Sequence, residues 1–189
     1  MEEKTLIEKL KSNDENSFRI LVDLFKKKVF NTSLSIIQNI DDADDISQDV
    51  FIQIFKSINK FKGNSSLSTW IYKITISKSF EYIRYKKRKK RFSTLLKLFR
   101  EDGSIIDIPD FVHPGILLER KEDSKLLFEA IEKLNQYQKQ AYILKNITGL
   151  SYKEIADVMN KTTSSIESLI FRAKRNLKKE LIKKMDNKK

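Results

Sequence analysis

Five aspartates and no basic residue lie between Asp41 and Asp49, in a chain whose overall charge is strongly positive. Carboxylates this close together could bind a divalent metal ion, and a bound metal ion could make the chain a nuclease. The spacing does not match an EF-hand loop, however, and no histidine lies near. Two other interpretations remain open: the aspartates cap a helix N-terminus, or they form an acidic face that docks on a basic partner. We predict no metal site and no catalytic residue, so the chain is not expected to be an enzyme.

A second stretch joins polar loop residues, aromatic residues and a run of positive charge. Residues 61–69 include Gly63 and Asn64, two residue types that favour turns, and Trp70 follows directly. Eight lysines or arginines and only one acid occur in residues 78–91. Positive charge neutralises phosphates and aromatic rings stack on unpaired bases, so this combination favours binding of single-stranded nucleic acid. Trp70 could equally be a core residue.

A third stretch, residues 150–177, is typical of two helices joined by a short turn. Ser151 and Glu154 have the spacing of a capping box, which predicts the start of the first helix. Asn160 lies where the chain must turn, and asparagine tolerates the left-handed conformation that turns require. The second helix should begin within residues 162–164, each of which is a possible N-cap.

The second of these two helices has an apolar stripe and an opposite polar stripe. The apolar positions are Ile166, Leu169, Ile170, Ala173 and Leu177. The outer positions are Ser165, Ser168, Phe171, Arg172 and Arg175. A helix that enters the major groove brings small polar side chains to base edges, while later arginines reach phosphates. The pattern therefore indicates a DNA-binding helix-turn-helix. The alternative is an ordinary helical hairpin whose basic face is only solvated.

Length and composition predict an all-α protein made of two small helical domains. Only four glycines and two prolines interrupt the 189 residues, and apolar residues recur at helical spacing between them. Periodicity fades over residues 92–123, which we interpret as a flexible linker between a first domain, residues 1–91, and a second domain, residues 124–189. The net charge of +12 favours a polyanionic partner.

The same sequence limits where the chain works and what it binds. It contains no cysteine, which excludes disulfides and thiolate metal sites and fits a reducing cytosol. The N-terminus is charged and no apolar run approaches membrane-spanning length, so we expect neither a signal peptide nor a membrane anchor. These features predict a cytoplasmic protein, and nothing in them indicates a cofactor.

Each candidate surface needs a helix to position it. Asn13 or Asp14 can cap a helix whose apolar face continues to about Asn39. The acidic stretch should continue as a helix with a core stripe of Val50, Phe51, Ile54, Phe55 and Ile58. Ser66 or Ser68 can cap the helix that begins near Trp70.

In this order, the motifs resemble those of bacterial RNA polymerase sigma factors of the extracytoplasmic-function group. Residues 42–51 resemble the D-A-E-D-L-x-Q-E-V-F segment of that family, and residues 150–177 resemble its fourth conserved region. Residues 61–63 and 68–74 resemble its F-x-G and T-W-L-Y-R-I segments. The resemblance extends over residues 15–183 and implies a sigma factor that binds core RNA polymerase and directs promoter-specific transcription initiation.

The resemblance also implies three sets of binding residues. Core polymerase would contact Asp42, Asp45, Gln48 and Asp49. The melted minus-ten element would contact Asn64, Ser65, Ser66, Trp70, Lys73, Ser77 and Arg84. The duplex minus-thirty-five element would contact Ser164, Ser165, Glu167, Ser168, Phe171, Arg172, Lys174 and Arg175. The implied partners are core RNA polymerase, promoter DNA and an anti-sigma factor that could hold the protein at the inner membrane. No small-molecule substrate is implied.

Four positions depart from the family pattern. Ser77 stands where the family often has asparagine, and Asn160 replaces a turn glycine. Glu167 and Leu169 occupy positions where the recognition helix usually has lysine and arginine. A glutamate can accept a hydrogen bond from the amino group of cytosine, so we expect a different upstream sequence preference.

Two alternative functions predict a different biochemical activity for the purified chain. A stand-alone DNA-binding regulator would use only the second domain and would bind duplex DNA without polymerase. A metal-dependent nuclease would use residues 41–49 and would cleave nucleic acid only when magnesium is present.

Overall fold

The computed structural model describes residues 2–98 and 121–186, with backbone alone for residues 90–98, 121–125 and 185–186. Most residues in these ranges are helical, and no strand occurs in them, which confirms the all-α prediction. The helices are α1 (Glu3–Lys11), α2 (Glu15–Ile37), α3 (Ile40–Ser57), α4 (Leu67–Leu98), α5 (Lys121–Glu132), α6 (Gln136–Asn146), α7 (Tyr152–Met159) and α8 (Thr163–Asp186). A 3₁₀ turn, Ile58–Lys60, follows α3. No helix in the described ranges is long and apolar enough to cross a membrane.

Short polar side chains begin the helices that carry the candidate surfaces. The carboxylate of Asp14 accepts a hydrogen bond of 2.8 Å from the backbone of Ser17 and starts α2. The amide oxygen of Asn39 accepts one of 2.9 Å at the start of α3. The hydroxyl of Ser66 accepts one from the backbone N–H of Thr69, at 3.1 Å, at the start of α4. Each of these bonds pairs a backbone N–H that has no partner inside its helix.

Helices α2, α3 and α4 enclose one apolar cluster of the first half. Its members include Leu21, Val29, Val50, Ile54 and Ile71, all almost completely buried. The predicted core stripe of α3 is wrong at one position, since Phe55 is 50 % exposed. Its ring packs edge-to-face on Phe18, with 5.3 Å between the ring centroids, at the margin of the cluster rather than inside it.

The second half consists of α5 to α8. Every apolar residue predicted for the inner stripe of α8 is buried: Ile166, Leu169, Ile170, Ala173 and Leu177. Helix α4 continues to Leu98 and α5 begins at Lys121, so helix occupies both ends of the segment predicted as a linker. The remainder of the predicted linker, residues 99–120, lies outside the described residues.

The two halves pack against each other. Tyr72, Ile76 and Phe80 of α4 and Ile36 of α2 belong to the same buried cluster as the core of α5 to α8. Helix α4 contacts α7, and α2 contacts α6. The sequence predicts two separate units and contains no local pattern that predicts this packing.

Candidate functional site

The acidic stretch forms one exposed side of α3. Asp41, Asp45, Gln48 and Asp49 lie on it and are all exposed, and we call this surface the acidic face. Within the described residues, no group of three or more His, Cys, Asp or Glu side chains is arranged to hold a metal ion. Because the charges point to solvent and are spread along the helix, they can attract a basic protein surface.

Asp42 differs from the other residues assigned to this surface. It is half-buried, and its carboxylate accepts a hydrogen bond from the ammonium group of Lys86 on α4. Asp42 therefore ties α3 to α4. It is less available to a partner than Asp45 or Asp49.

Two apolar residues extend the acidic face, and sequence reasoning missed both. Ile52 is 51 % exposed and Phe55 is 50 % exposed. Ile52 follows Asp45 by seven residues and Asp49 by three, so helical spacing places it on the same side of α3. The spacing to the aspartates was the available signal, but the apolar identity of Phe55 favoured a place in the core, and no prediction was made for Ile52. The acidic face thus continues into an apolar patch, a combination common in protein interfaces.

The second candidate site lies in a cleft between the two halves, with a cavity of about 600 Å³. Asn64, Ser65, Trp70 and Lys73 line it from the first half. Asp157, Asn160, Lys161 and Thr162 line it from the turn between α7 and α8. We call it the interdomain cleft. Four of the seven residues assigned to the melted element therefore lie together in it.

Trp70 has both a packing role and a position at this cleft. Its ring lies against Phe61, with 5.1 Å between ring centroids and an interplanar angle of 44°. Phe61 is buried, whereas Trp70 is half-buried and lines the cleft. Trp70 is held in place on one side and accessible on the other, so the two interpretations of this residue are compatible.

The other three residues assigned to the melted element are placed differently. The hydroxyl of Ser66 is engaged as the cap of α4. Ser77 donates a hydrogen bond of 3.0 Å to the carboxylate of Glu81, and Arg84 is exposed. The spacing of residues 70, 73, 77 and 84 keeps them on one side of α4, so Ser77 and Arg84 extend a track that begins in the cleft.

The helix-turn-helix forms as the local sequence predicts. Ser151 and Glu154 complete a capping box at the start of α7, and Asn160 ends that helix in the left-handed conformation with φ 51° and ψ 52°. The hydroxyl of Thr162 accepts a hydrogen bond of 3.2 Å from the backbone of Ser165 and starts α8. Hydrogen bonds from Ser151 lower the pKa of the Glu154 carboxyl. The ionised carboxylate is therefore the form that stabilises α7.

The outer side of α8 is open to solvent. It carries the eight residues Ser164, Ser165, Glu167, Ser168, Phe171, Arg172, Lys174 and Arg175, all exposed except the half-buried Ser165, and we call it the recognition face. Phe171 is 68 % exposed. The guanidinium Nε of Arg172 donates to the backbone oxygen of Ser168 at 3.1 Å, which orients that arginine along the helix. Charged, polar and aromatic groups on one rigid helix can bind a DNA groove.

Comparison with known proteins assigns both halves to one family. A model of sigma-70 region 2 matches residues 21–89, and a model of sigma-70 region 4 matches residues 124–177. The ECF RNA polymerase sigma-E factor of Haemophilus influenzae is 27% identical over 183 residues, which cover 95% of each chain. The RNA polymerase sigma-H factor of Pseudomonas aeruginosa is 26% identical over 184 residues, 95% of this chain and 94% of that protein.

Two solved structures share the fold. CnrH, in complex with the cytosolic domain of CnrY, has a TM-score of 0.67 and 20% identity, covering 95% of this chain and 96% of that one. The sigma factor RpoE of Bartonella quintana, in complex with the anti-sigma factor NepR, also has a TM-score of 0.67, with 21% identity over 87% of this chain and 96% of that one.

The helix-turn-helix and the two matched regions, in this order, define a sigma-70-type transcription factor. Since its relatives match over nearly the whole chain, this protein belongs to the extracytoplasmic-function group of RNA polymerase sigma factors.

Proposed function

We propose that this chain binds core RNA polymerase and directs it to promoters, where it binds the minus-thirty-five element as duplex and captures the melted minus-ten element. One observation carries the proposal: an exposed acidic face and an exposed recognition face lie on different halves of one chain, with a polar and aromatic cleft between them. Three separate surfaces suit three separate contacts.

The acidic face is the proposed polymerase contact. Asp45, Gln48 and Asp49 would meet a basic helical surface of the enzyme, and Ile52 and Phe55 would bury apolar area beside them. Asp42 would contribute mainly by holding α3 against α4 through Lys86. The exposed charges would speed encounter with the enzyme, and the apolar patch would slow dissociation.

The interdomain cleft and the track along α4 are the proposed strand contact. Asn64 and Ser65 would hydrogen-bond to unpaired bases, and Trp70 would stack on one of them. Lys73 and Arg84 would neutralise phosphates. Unstacking a base costs a few kcal/mol, and stacking on an aromatic side chain returns about 1–3 kcal/mol per base. Capture of the displaced strand can therefore offset the cost of opening without any catalytic step.

The recognition face is the proposed duplex contact. Ser164, Ser165 and Ser168, near the start of α8, would reach base edges. Arg172 and Arg175 would bind phosphates or guanine edges, and Lys174 would add salt-dependent affinity. Glu167 would accept from a cytosine amino group. These contacts make the chain a non-enzymatic transcription initiation factor that acts in the cytoplasm, where an anti-sigma factor is a further proposed partner.

The proposal is tested by reversing charge on the acidic face. Asp45→Arg combined with Asp49→Arg should abolish co-purification with core polymerase and run-off transcription, because two attractive contacts become repulsive. The matched control is Glu8→Arg with Asp23→Arg, which changes the net charge equally at exposed positions off α3. Far-ultraviolet circular dichroism checks that both variants fold.

Unchanged polymerase binding by the α3 variant would contradict the docking assignment. Sequence-specific duplex binding together with a complete lack of polymerase binding by the wild-type chain would favour the stand-alone regulator instead. Run-off transcription over a random promoter library would then identify the preferred sequence.

A further inference from the structure

We infer that Glu3 is a positioning residue for capture of the minus-ten strand, because through it α1 holds one end of the loop that carries Asn64 and Ser65. We call this loop, residues 62–66, the minus-ten loop. The inference rests on the proposed function, since the loop is part of the proposed strand contact. It gives a role to a helix that lies outside the sigma-70 region 2 match, which begins at residue 21.

The carboxylate of Glu3 reaches the start of another helix. Its Oε1 accepts a hydrogen bond of 3.0 Å from the backbone N–H of Leu67, the first residue of α4, although 64 positions separate the two residues in the chain. The first N–H groups of a helix have no partner inside that helix, and a negative charge beside them is favourable. Glu3 thus adds a second cap to α4, beside the one that Ser66 provides.

Helix α1 also contacts the chain just before the minus-ten loop. Leu6 and Leu10, both almost completely buried, belong to the same apolar cluster as Ile58 and Leu67. The helix contacts the 3₁₀ turn that follows α3. One helix therefore touches the chain on both sides of the minus-ten loop, by apolar packing before it and by the Glu3 carboxylate after it.

A short turn fixes α1 relative to α2. Asn13 takes the left-handed conformation, with φ 59°, and its N–H donates to the carbonyl oxygen of Leu10 at 3.1 Å. The N–H of Asp14 donates to the carbonyl oxygen of Lys9, also at 3.1 Å, and the Asp14 carboxylate caps α2. Because this turn sets the direction of α1, the bond from Glu3 ties the start of α4 to a fixed pair of helices.

The minus-ten loop benefits from anchored ends because its middle is open. Residues 62–64 are exposed, and Gly63 has a left-handed φ of 74°. Glycine loses more conformational freedom on ordering than any other residue. A loop that must become ordered on the DNA strand uses part of the binding free energy to do so, and a loop that is already held uses less. Glu3 therefore raises the affinity for the strand without touching it.

Glu3→Ala tests this role, because it removes the carboxylate and keeps a good helix former in α1. The affinity of the complex of this chain with core polymerase for a minus-ten single-stranded oligonucleotide should fall about five-fold, the effect expected for the loss of one helix cap. Upstream duplex binding and the affinity for core polymerase should stay at their wild-type values. The matched control is Glu8→Ala, which removes an equal charge at an exposed position of the same helix.

Glu3→Gln separates the hydrogen bond from the charge. The side-chain carbonyl oxygen of glutamine can accept the same bond from Leu67, so this variant should lose no more than about two-fold in oligonucleotide affinity. A role in overall stability alone would lower all three affinities together. If Glu3→Gln or Glu8→Ala binds the oligonucleotide as weakly as Glu3→Ala, the bond to Leu67 does not position the loop and the inference is overturned.

Two measurements on the free protein test the anchoring without DNA. Hydrogen exchange at the Leu67 amide should be faster in Glu3→Ala than in Glu8→Ala. Acrylamide should also quench the fluorescence of Trp70, the only tryptophan in the chain, more strongly in Glu3→Ala. Trp70 reports on this end of the loop because it lies one helical turn beyond Leu67.

The two sets of measurements separate the possible failures. Unchanged exchange and quenching in Glu3→Ala would overturn the inference. Faster exchange with unchanged oligonucleotide affinity would mean that anchoring does not assist capture, which overturns it as well. If the wild-type complex with polymerase does not bind the oligonucleotide at all while Leu67 exchange still rises in Glu3→Ala, the proposed function is wrong and the anchoring of the loop by α1 stands.

Discussion

The two proposed DNA surfaces of this protein differ in how ready they are to bind. The recognition face lies on one side of α8, its opposite side is buried, and Phe171 at its centre is 68 % exposed. The interdomain cleft has Trp70 at one wall and the turn at Asn160 at the other, joined by the bond from Lys73. The first surface is complete within one half of the chain, and the second has walls from both halves.

The difference follows from what each surface is proposed to bind. A duplex already presents its groove edges and phosphates, so a rigid exposed helix is sufficient to bind it. Unpaired bases exist only after the duplex opens, and a basic aromatic surface that is always accessible would bind single-stranded nucleic acid indiscriminately.

The largest expected effect is at the interdomain cleft. Trp70→Ala should reduce open-complex formation about 10- to 100-fold, because a stacking side chain of this kind contributes about 1–3 kcal/mol per base. Upstream duplex binding should be unchanged. Permanganate reactivity of the minus-ten region measures opening, and Trp70→Phe is the control that keeps an aromatic ring. Equal loss of duplex binding would mean that Trp70 acts only through stability.

A smaller effect is expected at the recognition face. Arg172→Ala should weaken binding to upstream duplex about ten-fold. It should also reduce the slope of log affinity against log salt concentration by about one, the amount expected for one lost phosphate contact. Fluorescence anisotropy at several salt concentrations measures both. If Arg172→Ala has no effect while Glu167→Ala weakens binding, the side of α8 that meets DNA has been assigned wrongly.

The next effect concerns α7, because the turn that follows it lines the interdomain cleft and leads into α8. Ser151→Ala should lower the free energy of unfolding of the C-terminal half by about 1 kcal/mol, because it removes the N-cap of α7. Thermal denaturation followed by circular dichroism measures it. Ser12→Ala, at a helix end away from both surfaces, is the control.

The smallest expected effect is a pH dependence. The pKa of Glu154 is held below its ordinary value of 4.5, so its contribution to stability is present above that value and is lost as the pH falls through the lower, folded-state value. Glu154→Gln should therefore lose less stability than the wild type between neutral and acidic pH. Urea denaturation across that range measures the free energy of unfolding of both proteins at each pH. Parallel curves of that free energy against pH would contradict the prediction.

Local features of the fold were predictable because they depend on neighbouring residues. The capping box at Ser151, the left-handed turn at Asn160 and the buried stripe of α8 depend on contacts within a few residues or on helical period. Phe55 was placed in the core incorrectly, because an apolar residue at helical spacing gives no sign that the neighbouring elements leave it uncovered. The charge and spacing of the acidic face were predictable, but its apolar extension was not.

The sequence by itself therefore determined the all-α class, the helix caps and the composition of the recognition face, since each follows from local chemistry and periodicity. Only the tertiary structure decided that the two halves share a core, that Lys139 binds the end of α2 and that the turn at Asn160 lines the same cleft as Trp70. Residues 36 and 139 are far apart in the chain, and whether they meet depends on how whole helices fit together. No local pattern encodes that fit.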